Sequence, residues 1–235
     1  MSKVGRVAVV TGSNRGLGKA IAYGLAHKGV HVVVTARTED AAERAADELR
    51  ADGLSASGHQ LDVVDPASVA RVMADVGYEH GRLDILINNA GIAIDRGQTA
   101  SRADMEKVRA TLDTNVMGAW RCCTAAIPEM KKNGYGRIVN VTSHMGTFGE
   151  MGPGSVSYRV SKAAVNALTC ILAAELKDDG ILVNAASPGK VDTRLAYGKA
   201  THTPKQAAET FVWLATLPPD GPTGGLFFQR EILDW

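Results

Sequence analysis

Short runs of consecutive apolar, mostly β-branched residues alternate along the chain with longer stretches whose apolar residues recur every three or four positions. The runs at 6–11 (RVAVVT), 31–35 (HVVVT), 56–63, 83–88 (LDILIN), 137–142 (RIVNVT), 181–187 (ILVNAAS) and 225–228 predict strands. Between them, helices are expected at 16–28, with Leu17, Ile21 and Leu25 on one stripe, and at 39–50, 66–78, 101–132, 156–177 and 204–217. Pro66 suits the first turn of its helix, and Pro128 predicts a bend in the longest one. The stretch 188–203 reads as irregular. The strands are continuous rather than alternating in hydrophobicity, as when both faces of a sheet are covered. Regular strand–helix alternation then predicts an α/β, Rossmann-type doubly wound parallel sheet of about seven strands. Neither a repeat nor a linker interrupts the pattern, so residues 1–235 are expected to form a single domain.

Composition narrows the function more than the fold. A length of 235 residues, 45% hydrophobic and 22% charged, suits one soluble globular domain with a large core. The formal net charge of +1 gives no argument for a nucleic-acid or membrane-surface partner. No run reaches the ~20 apolar residues of a membrane span, and the strand pattern begins too early to leave room for a signal peptide. Two of the three cysteines, Cys122 and Cys123, are adjacent and the number is odd. A disulfide framework is therefore not expected, and a cytoplasmic setting fits. The six histidines and three cysteines lack zinc-ligand spacing, so no metal is expected.

Candidate chemistry begins where the first strand ends, at Thr11-Gly12-Ser13-Asn14-Arg15-Gly16-Leu17-Gly18. Three glycines after a first strand and opening a helix let the backbone approach a pyrophosphate, whose charge the helix N-terminus favours. The spacing differs from both the common dinucleotide fingerprint and the P-loop. A second constellation lies at Tyr158 and Lys162, one helical turn apart on the same face. An ammonium beside a phenol lowers the phenol's pKa and makes it a better proton donor or acceptor near neutrality. Ser143, just after the strand run IVNV, can add a second hydroxyl, and His144 beside it is a candidate substrate contact or acid. Ser155 and Ser157 read as capping residues of the Tyr158 helix. Cys122 and Cys123 read as packing.

Together these motifs make the chain resemble the compact short-chain dehydrogenase/reductases. The family's Thr-Gly-x-x-x-Gly-x-Gly is matched at Thr11 to Gly18 and its Asn-Asn-Ala-Gly at Asn88, Asn89, Ala90 and Gly91. Its helix Asn is matched at Asn115, its Ser–Tyr–Lys at Ser143, Tyr158 and Lys162, and its Pro-Gly and Val-x-Thr at Pro188, Gly189, Val191 and Thr193. The resemblance implies an NAD(P)-dependent oxidoreductase. In it Tyr158 would move the proton, Lys162 would tune it and hold the nicotinamide ribose, and Ser143 would bind the substrate oxygen. Asn115 would hold a relay water; apart from the resemblance, a buried Asn that bridges two helix turns is the alternative reading of that residue. The resemblance also implies adenine contacts at Asp62 and Val63, ribose contacts near Asn89, Ala90 and Gly91, and nicotinamide contacts at Pro188, Gly189, Val191 and Thr193.

Charge indicates the cofactor subtype. NAD enzymes of this build place an acid after the second strand, whereas here Arg37 stands there. Arg15 lies in the glycine turn, and two guanidiniums suit a 2′-phosphate, so NADP(H) is expected. Glu39 and Asp40 follow but read as first-turn acids of the next helix. Ser143 and Tyr158 are fifteen residues apart, slightly more than is usual in the family. The intervening loop is a candidate substrate wall, and 188–204 a candidate substrate loop containing Tyr197 and Gly198. The chain lacks the long insertion before the Tyr found in monomeric carbonyl reductases. Ala163, Ala164, Ala167, Leu168 and Leu172 on the Tyr158 helix suit a symmetric contact, so a homodimer or homotetramer is expected. The tail resembles that of carbonyl-reductase-like members, which favours reduction of a small-molecule ketone or aldehyde. An imine or enone reductase, and a non-catalytic NADP(H)-binding regulator, are the alternatives.

Overall fold

The computed structural model describes residues 5–192 and 200–235. Its eight strands are β1 (Val7–Val10), β2 (His31–Ala36), β3 (Ala56–Gln60), β4 (Ile85–Asn88), β5 (Gly136–Val141), β6 (Ile181–Ala186), β7 (Leu226–Phe228) and β8 (Glu231–Ile232). They form one sheet in the order β3-β2-β1-β4-β5-β6-β7-β8. The pairings from β3 through β7 are all parallel. The two-residue β8 adds an antiparallel edge that sequence periodicity did not reveal. The helices are α1 (Gly16–Ala26), α2 (Glu39–Ala51), α3 (Pro66–His80), α4 (Met105–Leu112), α5 (Gly118–Asn133), α6 (Val156–Glu175) and α7 (Pro204–Ala215).

The apolar runs are explained by the two layers they serve. Ala8 and Val10 of β1 join a core with Leu17, Ile21 and Leu25 of α1, Leu49 of α2 and Phe211 of α7. Val7 and Val9 of the same strand join the opposite core, with Val72 of α3, Cys122 and Met130 of α5, and Leu172 of α6. Each central strand therefore needs apolar side chains in both directions, which erases the two-residue alternation. Strand order reverses between β1 and β4, so a crevice opens at their carboxyl ends, where ligands of such sheets bind.

Two expectations change. The long helix expected at 101–132 is interrupted at Asp113–Met117, a π-helical turn, while α5 runs on through Pro128. Packing of Cys122, Cys123, Ala126 and Met130 against the sheet holds α5 together at the proline. Their burial drives the thiol pKa of Cys123 up to about 12 and that of Cys122 higher, as suits packing groups. Second, Leu168 and Leu172 belong to the core, so neither is available to another subunit. The outward face of α6 is instead made by Val160, Ala164, Ala167 and Ile171, with Val160 and Ile171 about half exposed.

The layer over β2 and β3 depends on one close approach. A Cβ at Gly58 would lie 2.6 Å from both the backbone N and Cα of Glu43 on α2. Gly58→Ala should therefore cost about 1–3 kcal/mol of stability by overpacking. Urea denaturation would check this, and an unchanged midpoint would show that α2 can retreat from β3 freely.

Candidate active site

The glycine turn is built by hydrogen bonds that run inward. Thr11 Oγ1 accepts the Asn89 and Ala90 N–H groups, each at 2.9 Å, and Asn89 Nδ2 donates to the carbonyls of Thr11 (2.8 Å) and Gly12 (3.0 Å). The end of β4 is thereby fastened to the end of β1. Gly12 has φ +61°, and a Cβ there would sit 3.3 Å from Ala90 Cα. A Cβ at Gly18 would come within 2.5 Å of Asn89 Nδ2 and 2.7 Å of the Gly12 carbonyl. Ser13 is fully buried: its hydroxyl donates to Val10 O and accepts the Thr35 N–H, and its own N–H donates to Thr35 O. Ser13 thus shapes the turn from inside. Asn14, Arg15, Gly16 and Leu17 carry the chain into α1, which has no acid in its first turn to compete with a phosphate.

Arg37 is exposed, as is Arg15. Glu39 Oε2 accepts the Gln60 N–H at 2.8 Å and stands in the first turn of α2 beside Asp40, which faces Arg44. The two nearby acids are thus engaged with α2 and β3. Asp62 is half-buried and its Oδ1 accepts the Val64 N–H, while Val63 is buried and packs against Gly118.

At the other side of the crevice, β5 ends just before Ser143, and the turn 144–146 packs onto α6. A Cβ at Gly146 would fall 2.6 Å from Lys162 Cβ. Lys162 is 5% exposed, and its Nζ donates to Val141 O at 2.7 Å and lies 5.6 Å from the Tyr158 ring centroid. Burial lowers the lysine pKa from 10.5 to about 8. Ser143 Oγ accepts the Met145 N–H at 3.2 Å, which leaves its hydroxyl proton for another acceptor. Asn115, in the π turn, accepts the Ile92 N–H (2.8 Å) and donates to Ile92 O and to Ser161 Oγ (both 2.9 Å). A Cβ at Gly91 would be 3.3 Å from Asn115 Oδ1 and 3.7 Å from Lys162 Nζ, so the two polar atoms border the same space.

His144 is held by Ser187 and Phe228. Its Nδ1 is 2.7 Å from Ser187 Oγ, its N–H donates to the same oxygen, and its ring meets Phe228 edge-on at 4.7 Å. Burial lowers its pKa, opposed by Glu150. Ser187 Oγ also accepts the Gly189 N–H at 3.3 Å, tying the Ser143 edge to Pro188 and Gly189. Val191 pairs with His202 in a parallel bridge, while Thr193, Tyr197 and Gly198 lie outside the described residues. Ser155 makes no side-chain cap hydrogen bond; the Ser157 N–H donates to Asp95 Oδ2 at 2.6 Å. Asp95, Thr35, Ser161 and Ser187 were not legible as site residues. Only Ser161 carried a local signal, lying between Tyr158 and Lys162; the others act through contacts distant in sequence. Among the described residues no cluster of His, Cys, Asp and Glu could hold a metal ion, and no helix is long and apolar enough to cross a membrane.

Comparison with known proteins agrees with this arrangement. The model of the short chain dehydrogenase family matches residues 6–203. Carbonyl reductase 3 (NADPH) of Mus musculus is 36% identical over 281 aligned positions covering 100% of both chains. The 3-oxoacyl-(acyl-carrier-protein) reductase FabG of Escherichia coli is 37% identical over 193 residues, 82% of this chain and 76% of that one. Among solved structures, a gluconate 5-dehydrogenase from Burkholderia cenocepacia in complex with NADP and tartrate has a TM-score of 0.88 at 28% identity, covering 98% of this chain and 94% of that one. With its glycine turn, Ser143, Tyr158 and Lys162 gathered at the carboxyl edge of one parallel sheet, the chain belongs to the short-chain dehydrogenase/reductase family.

Proposed function

We propose that the protein is an NADPH-dependent oxidoreductase that reduces a ketone or aldehyde, or oxidises the corresponding alcohol. The observation that carries this reading is the buried Lys162 ammonium beside the Tyr158 ring, on the strand end that bears Ser143. The turn suits a dinucleotide: at Gly12 and Gly18 a side chain would collide with Ala90, Asn89 and the Gly12 carbonyl, so glycine lets the turn close against the end of β4, and the N-terminus of α1 stands open to an anion. Arg37 and Arg15 would hold a 2′-phosphate, since Glu39 is engaged with β3. Asp62 and Val63 would border the adenine, and Pro188, Gly189, Val191 and Thr193 the nicotinamide. NADPH, when bound, supplies the hydride.

The chain's own residues supply orientation and the proton. Ser143, its oxygen already bonded by Met145 N–H, has its hydroxyl proton to donate to the substrate oxygen, and so steadies the charge that develops there. Tyr158 donates the phenolic proton to that oxygen. Lys162 keeps one N–H on Val141 O, leaving two for the ribose hydroxyls and for a water at Asn115 that replaces the proton. Its positive charge stabilises the phenolate that remains. The loop 145–153 and the segment 188–204 are the proposed substrate walls. The exposed face of Val160, Ala164, Ala167 and Ile171 supports pairing between copies of the chain.

Tyr158→Phe should leave NADPH binding within about twofold while lowering kcat by about a hundredfold or more. Near-normal turnover would remove Tyr158 as the proton donor. Arg37→Ala should raise the KM for NADPH about tenfold or more and leave that for NADH little changed; equal effects would refute the phosphate assignment.

Lys162 gives a pH test on the ligand-free protein. Below about pH 8 both folded and unfolded chains carry its proton, and the cost of burying the ammonium is fully present. Between about 8 and 10.5 the unfolded chain binds a proton that the folded one lacks, so stability rises with pH. Measured against Lys162→Met, the unfolding free energy of the wild type should climb by on the order of 3 kcal/mol across this range. A flat difference would mean that the ammonium is not buried.

A further inference from the structure

Tyr158 is the third residue of α6, so whatever fixes the first turn of that helix fixes the phenol. The sequence offers Ser155 as the cap, but Ser155 adopts φ 52° and ψ 44°, far from the extended backbone of a serine N-cap, and its side chain makes no cap hydrogen bond. The work passes to a residue from a different part of the chain. Asp95, on the segment after β4, is 1% exposed, and its Oδ2 accepts the Ser157 N–H at 2.6 Å. A buried carboxylate on a backbone N–H at a helix N-terminus is a charge-assisted bond that the helix dipole favours. The other oxygen, Oδ1, is buried with no hydrogen-bond partner.

The neighbouring contacts converge on the same turn. Ser157 Oγ lies 3.3 Å from Thr111 Oγ1, and Thr111 is fully buried on α4. Ser161 Oγ donates to the carbonyl of Tyr158 itself at 2.7 Å, and Asn115 holds Ser161 while gripping Ile92, three residues before Asp95. The segment that begins at the Asn89-Ala90-Gly91 motif is thus fixed to α6 twice, through Asn115 at Ile92 and directly at Asp95.

We propose that Asp95 is a positioning residue: as the N-terminal cap of α6 it sets where the Tyr158 phenol stands relative to Ser143. The proposal rests on Tyr158 being the proton donor. It assigns Asp95 no contact with substrate, and it ties the cofactor-side segment to the placement of the proton donor.

The test is steady-state kinetics of Asp95→Ala and Asp95→Asn, each alone and in combination with Tyr158→Phe, with NADPH affinity followed by fluorescence. Asp95→Ala should lower kcat by about 10- to 100-fold, the cost of a misplaced catalytic group, with NADPH affinity unchanged within about twofold. Asp95→Asn keeps an acceptor oxygen for the Ser157 N–H and should recover kcat to within about fivefold of the wild type. On the Tyr158→Phe background, Asp95→Ala should cause no further loss of the residual rate. Wild-type kcat in Asp95→Ala, equal losses in Ala and Asn variants, or an undiminished loss on the Phe background would each overturn the assignment. Should Asp95→Ala fail to fold, Asp95→Asn decides alone: near-wild-type kcat supports the role, and a hundredfold loss refutes it. Near-normal turnover of Tyr158→Phe by itself would remove the underlying reading, and the Asp95 role with it, whatever the Asp95 variants did.

Discussion

The bond from Lys162 Nζ to the Val141 carbonyl is the contact on which the rest of the site depends. It buries a cation with a backbone oxygen and no carboxylate partner, an arrangement that disfavours the charged form. A carboxylate in that place would stabilise the ammonium but cancel its field at the phenol. A backbone carbonyl satisfies one N–H and leaves the net charge, so Lys162 stays electrostatically useful to Tyr158 5.6 Å away. The same contact holds α6 to the end of β5, and it therefore places Ser143, two residues beyond Val141, against the helix that carries the tyrosine.

That arrangement explains why two glycines and one amide around it are so constrained. Gly146 must lack a side chain for the turn after Ser143 to lie against Lys162. Gly91 must lack one because Asn115 Oδ1 and Lys162 Nζ both approach its place. Asn115 reaches this position because the helix widens at Asp113–Met117, and π turns of this kind recur at functional sites. The two readings that the sequence left open for Asn115, a relay and a bridge, are not exclusive. Its present bonds bridge Ile92 and Ser161, and the remaining lone pair of Oδ1 borders the space beside Lys162.

The parallel sheet and its helices were legible because burial on both faces forces continuous apolar strands, and Leu17, Ile21 and Leu25 repeat on a helical period. The glycine turn and Tyr158–Lys162 were legible because their chemistry depends on short spacing. Contacts between residues distant in sequence were not legible. That Ser13 bonds Thr35 of the neighbouring strand is one of them. His144 adjoins Ser143 in sequence, but Ser187 and Phe228 hold its ring. Proline is visible locally and pointed to Pro128, whereas the helix is interrupted at Asp113–Met117, where Asn115 bonds Ile92 across the chain, a contact that no period encodes. Leu168 and Leu172 failed as interface candidates for a related reason: apolar character alone does not say which side of α6 meets the sheet.

Asp95 belongs to the same class, because its partner on α6 is distant in sequence. Helix caps are ordinarily local, a side chain reaching two or three residues along its own chain. Here the left-handed turn at Gly154 and Ser155 brings the chain into α6 at an angle that no local serine caps. A carboxylate 62 residues away takes the Ser157 N–H instead. A local cap would stabilise the helix wherever it lay, whereas a distant one stabilises it only where it meets the segment after β4. The same chain stretch carries Asn89, which closes the glycine turn, and Ile92, which Asn115 grips. The glycine turn and the first turn of α6 are thereby held to a single strip of backbone. The loop between Ser143 and Tyr158 adds its own ties to α6, with Arg159 donating to the Glu150 and Gly154 carbonyls and Asn166 to the Gly146 carbonyl, while Phe148 and Met151 on it stay exposed; variation in this loop is therefore tolerable at its exposed apolar positions and constrained where it meets the helix.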